Sequence, residues 1–161
     1  MDAFHTMRNR LYHRVFSRLL IAGTVLAMAA CGHSGELIAR YTAQDGEPAA
    51  RILFVAGRDS HGPSAHEHRA GSELLADLLH QRNPDYSIDV VYGGWPGDAA
   101  LADGVDALVI YCDGGRGHVI NKHLEQFNRL LDDRVGVVAL HYAVEVPKGS
   151  ASADAMLRAT G

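Results

Sequence analysis

Four short apolar runs constrain this chain most, because glycine or a polar turn closes each one: Ile52 to Ala56, Ser87 to Tyr92 (SIDVVY), Val105 to Cys112 (VDALVIYC) and Val135 to Leu140 (VGVVAL). Runs of this length and character suit strands buried on both faces of a parallel sheet. Segments with helical spacing separate them. Gly71, Leu74, Leu75, Leu78 and Leu79 follow Ser64-Ala65-His66-Glu67, which has the form of a capping box, and Asn83-Pro84 ends the pattern. A second helix is predicted from Asn121 to Asp133, with Leu124, Phe127, Leu130 and Leu131 on one side. The alternation predicts an α/β domain over residues 51–161, a doubly wound parallel sheet with right-handed crossovers.

The first thirty residues differ in kind. Arg8, Arg10, Arg14 and Arg18 precede the apolar run Leu19 to Ala30, which is too short to span a bilayer and reads as a signal peptide over residues 1–30. It ends in Met28-Ala29-Ala30-Cys31-Gly32, which resembles the lipobox of bacterial lipoproteins, with Cys31 as the acylated residue. That processing predicts an exported protein held in the cell envelope by lipid, at the outer membrane facing the periplasm if the cell is Gram-negative. Residues 31–50, rich in Gly, Pro and polar groups, read as a flexible tether. Losing Arg8, Arg10, Arg14, Arg18 and Asp2 moves the formal charge from −4 to −7, so a nucleic-acid partner is not expected. With Cys31 acylated, Cys112 has no disulfide partner and reads as a small hydrophobe ending a buried strand.

Parallel sheets bind ligands beyond the carboxyl ends of their strands, where strand order reverses. The chemistry-bearing residues follow the strands in this sequence: Asp59 and His61 the first, Trp95 the second, Asp113, Arg116 and His118 the third, His141 and Tyr142 the fourth. The segment GRDSHGPSAHEHR alone holds His61, His66 and His68 with Asp59 and Glu67. If the helix begins at the capping box, its phase points Glu67 toward the sheet, leaves His66 on the solvent side and half-buries His68. Glu67 is then either a cap on Ser64 or a pocket carboxylate. Trp95 either stacks on a sugar ring or wedges against the sheet. Neither an H-E-x-x-H nor a paired C-x-x-C pattern occurs, and DGGRGH lacks the lysine of a phosphate loop.

The first strand with SHGPSAHEHRAGSELLADLL, then VDALVIYCDGGRGH and VGVVALHYAV, together resemble the ThuA-like (trehalose utilisation) family over residues 51–146. The resemblance implies a flavodoxin-like fold related to the class I glutamine amidotransferases. It also implies a domain that continues past Gly161, since ThuA-like domains carry further strands and helices. At the elbow where amidotransferases carry a cysteine nucleophile, this chain has His141, then Tyr142 and Ala143. Acyl-enzyme chemistry therefore loses its nucleophile.

Two functions follow from this likeness. One is an enzyme acting on a sugar or sugar derivative of trehalose or keto-disaccharide type. His61, Glu67, Asp113 and His141 would be its catalytic groups, and Asp59, Trp95, Arg116, His118 and Tyr142 would contact the ligand. Histidine suits such work because its ordinary pKa lies near working pH. The other is a non-catalytic carbohydrate-binding lipoprotein. A divalent metal is a further expectation, with His61, Glu67 and His141 as candidate ligands beside Asp113, since mixed nitrogen and oxygen donors suit zinc. A metal-free hydrogen-bonded cluster is its competitor.

Overall fold

A computed structural model describes residues 34–161; the signal peptide expected over residues 1–30 and the expected acylation site Cys31 lie outside them. The apolar runs form strands close to the expected bounds: β2 (Ala50–Ala56), β3 (Tyr86–Tyr92), β4 (Ala107–Tyr111) and β5 (Gly136–Leu140). The part expected to be a tether supplies one more, β1 (Glu36–Tyr41), which pairs antiparallel with β3. Arg40 on β1 grips Asp89 on β3 through two hydrogen bonds of 2.7 and 3.1 Å. The sheet is thus mixed, not wholly parallel, in the order β1-β3-β2-β4-β5 with four parallel strands.

Three α-helices cover it among the described residues: α1 (His68–Arg82), α2 (Leu124–Asp132) and α3 (Ala151–Thr160). None of the described helices is long and apolar enough to cross a membrane. Alternate side chains of β2 and β4 enter two apolar layers, so helices sit on both faces. Leu53, Val55, Leu108 and Ile110 pack with Phe127 and Leu130 of α2 and Ala155 and Met156 of α3. Ile52, Phe54, Ile88, Val90 and Val109 pack with Ala76 and Leu79 of α1. This is an α/β architecture compatible with a flavodoxin-like fold.

The phase expected for α1 is wrong. Its buried residues are His68, Ser72 and Ala76, whereas Leu74, Leu75 and Leu78 are 59%, 41% and 48% exposed. Small residues let the helix lie close to the sheet: a Cβ on Gly71 would stand 2.7 Å from the Tyr111 ring. The capping box does not start the helix either. Ser64 has φ 64°, outside the helical region, and the N-cap position is Glu67. For α2 the expected stripe holds, with Phe127 and Leu130 buried and Leu124 and Leu131 packed at their side.

Chain order gives the sheet its functional geometry. The chain runs from β2 outward to β3 and then crosses to β4 on the other side of β2. Strand order therefore reverses between β2 and β4, and the loops leaving their carboxyl ends begin at Gly57 and Cys112. These loops nearly touch: a Cβ on Gly57 would come within 2.6 Å of the Cys112 Cβ. Only glycine allows that approach.

Candidate functional site

The loop after β2 folds back on itself, because the Ser60 N–H donates to the His66 carbonyl at 3.2 Å. His61 and Ser64 take left-handed backbone, at φ 63° and 64°, to complete this turn. It delivers three polar side chains to Asp113 at the end of β4. The Ser60 Oγ lies 2.8 Å from Nδ1 of His61 and 3.1 Å from Nδ1 of His66. His66 Nδ1 in turn donates to Asp113 Oδ1 at 3.0 Å.

The loop after β5 closes the group. His141 stands at φ 58°, directly after the last residue of β5, and its ring centroid is 5.1 Å from that of His66. Tyr142 packs 4.2 Å from His141 and 5.4 Å from His66, ring to ring. Non-glycine residues in left-handed backbone are uncommon and collect at functional sites. Four such residues occur among those described, and His61, Ser64 and His141 belong to this rim. Gly114 holds the β4 and β5 loops together. Its Cβ would meet the Tyr142 and Glu145 carbonyl oxygens at 2.8 and 2.9 Å, and the Gly115 N–H donates to Glu145 O at 2.8 Å.

Electrostatically the centre is a carboxylate among imidazoles. Burial alone would favour the neutral form of Asp113. Hydrogen bonds from Ser60 and His66 and the nearby rings of His68 and His61 outweigh it, so its carboxyl is held below its ordinary value. His68 is fully buried at the start of α1, edge-on to Tyr111, with Nδ1 2.7 Å from the Arg58 carbonyl. Its Nε2 lies 3.8 Å from Asp113 Oδ1.

Of the residues expected on the rim, His61, Asp113, His141 and Tyr142 come together, and the others do not. Glu67 is exposed, and its Oε1 accepts from the Ser64 N–H at 2.6 Å, so it braces the turn and does not face the sheet. Asp59 Oδ1 accepts from the Arg69 N–H at 3.0 Å and serves the first turn of α1. Trp95 is 3% exposed within the core, stacked on His123 and edge-on to Phe127, so it offers no face to a sugar. His118 is buried and fully partnered by Ala143 O and the Ile120 N–H. Arg116 is exposed, and its carbonyl accepts from Asn121.

His66 and Ser60 are the members that sequence reasoning misplaced or missed. His66 precedes the helix, so helical phase does not apply to it, and its side chain is only 17% exposed. The signal for both was their position: they bracket a Gly-Pro turn directly above a central strand. Two cavities of about 390 Å³ lie elsewhere, one lined by Arg40, Arg51 and Asp98 and the other by Trp95, Gln126 and Arg129. Comparison of the chain with protein-family models, with curated proteins and with solved structures finds no match.

Proposed function

We propose that this chain is an exported, lipid-anchored ThuA-like domain, related to the class I glutamine amidotransferases, that acts on a sugar or sugar derivative without a cysteine nucleophile. The observation that carries this reading is His141. It tops β5 in left-handed backbone, where an amidotransferase-like elbow would present its nucleophile, and faces the His66–Asp113 pair. The only cysteine among the described residues cannot take over. Cys112 is 1% exposed, and burial pushes its thiol up to about 11, with Asp113 adding to the rise against a backbone hydrogen bond from Val119.

A covalent acyl intermediate is therefore replaced in this reading by proton transfer. His141 is exposed and able to exchange a proton with a ligand hydroxyl or carbonyl. Tyr142, 41% exposed beside it, gives a sugar ring an aromatic face. That exposed ring also suits the second reading, a carbohydrate-binding lipoprotein with no turnover.

Incubation with trehalose, other disaccharides and their keto forms, followed by product analysis, tests the proposal. Turnover that His141→Ala abolishes is the expected result. Binding without product favours the second reading, and neither binding nor turnover overturns both. In the same preparation Cys31→Ser should lose its partition into membranes.

A further inference from the structure

We infer that Asp113, His61 and His66, backed by His68, form a binding site for one divalent cation of zinc type. The inference concerns the rim just described but does not depend on sugar being its ligand.

Proximity is the first argument. One donor atom each from His61, His66 and Asp113 lies within 4.8 Å of the others. Donors sharing a metal at bond lengths of about 2 Å must lie within roughly 4 Å of one another. Small rotations of half-exposed side chains suffice to close that difference.

His68 supplies the second, independent argument. A carbonyl only accepts, so the contact with Arg58 O at 2.7 Å requires the proton on Nδ1 of His68. In the neutral ring Nε2 then carries a bare lone pair. That nitrogen is buried and has no hydrogen-bond partner. It points toward Asp113 Oδ1 across 3.8 Å, too far for a hydrogen bond. Donors about 2 Å from a tetrahedral ion stand about 3.3 Å apart, so a contraction of about half an ångström brings this pair to that spacing. A ligating histidine also nearly always donates its other ring N–H to a carbonyl or carboxylate, as His68 does. The other way to satisfy Nε2 is a proton, which would leave the cluster metal-free.

Donor chemistry narrows the ion. The clustered donors, two imidazole nitrogens and one carboxylate, with the His68 nitrogen beside that carboxylate, suit zinc, cobalt or nickel, whereas magnesium and calcium prefer oxygen throughout. His141 and Tyr142 stay outside the set, so proton transfer at His141 and cation binding at Asp113 are separate tasks of one rim.

The test uses untagged full-length protein, stripped with chelator and dialysed against zinc. One zinc per chain is expected, and cobalt substituted for it should show the intense visible bands of a tetrahedral site. Asp113→Asn and His66→Ala, both at partly exposed positions, should keep their folded circular dichroism and weaken zinc affinity by roughly 100-fold or more, comparable to the loss of a ligand or its support. His80→Gln, distant on α1, controls for adventitious binding to surface histidines. Failure of the folded parent to take up zinc in stoichiometric amount overturns the inference, as does equal affinity in parent, Asp113→Asn and His66→Ala. Because no sugar is present, a protein that binds zinc but no sugar refutes only the sugar reading. One that turns sugars over but takes up no zinc refutes only the cation site.

Discussion

Replacing His118 by alanine should cost stability and leave the rim able to bind. The imidazole is 3% exposed, donating from Nε2 to Ala143 O at 2.8 Å and accepting the Ile120 N–H on Nδ1 at 3.2 Å. Ala143 and Ile120 are themselves fully buried, so truncation strands one acceptor and one donor away from water. Each orphan costs about 1–3 kcal/mol. A water entering the vacated space recovers part of this, leaving a loss of about 2–4 kcal/mol. With a urea dependence of about 2 kcal/mol per molar, the unfolding midpoint should fall by about 1–2 M. The pH dependence fixes the sign. Burial lowers the pKa of His118 and its hydrogen bond to Ala143 only partly opposes this, so the folded value lies below the unfolded one of about 6.5. The contribution is therefore complete above about pH 6.5 and is lost as pH falls through that value toward the folded pKa. The gap between parent and His118→Ala should narrow in melts run from about pH 7.5 down to about pH 5.5. An unchanged midpoint together with lost ligand binding would refute the reasoning and return His118 to the ligand-facing role its position in the sequence suggested.

Cys112 in the folded protein should resist iodoacetamide at about pH 8, where an ordinary thiol reacts, and become labelled in denaturant; peptide mass spectrometry reads the difference, and rapid native labelling would contradict its burial. On α1, Leu78→Gln should change the unfolding free energy by no more than about 0.5 kcal/mol, whereas Ala76→Leu should cost about 1–3 kcal/mol by overpacking. The reverse order in chemical denaturation would put the leucines against the sheet.

The three central strands, β3, β2 and β4, were legible because their burial leaves runs with little polar alternation, and β2 keeps that pattern through Ile52 to Ala56; β5 kept an apolar run although it is an edge strand with Val138 48% exposed. Connectivity then fixed which loops share a rim, and for this reason His61, Asp113, His141 and Tyr142 were found without any local motif. β1 was hidden because an edge strand needs only one apolar face, and its register shift between Leu37 and Ala39 breaks the alternation that would have betrayed it. The phase of α1 was hidden for the opposite reason: leucines mark a buried face only when bulk is needed there. This helix instead approaches the sheet through Gly71, Ser72 and Ala76, where small side chains win by allowing close contact. That error displaced Glu67 toward the sheet and His66 toward solvent. Once the helix begins at His68, the preceding residues become a turn with its own hydrogen bonds. Glu67 then satisfies the Ser64 N–H, and His66 is free to reach back to Asp113. The arrangement also accounts for two histidines only two residues apart both lying beside Asp113, which a continuous helix would forbid. His66 reaches Asp113 from the turn, and His68 approaches the same carboxylate from beneath, on the first residue of α1.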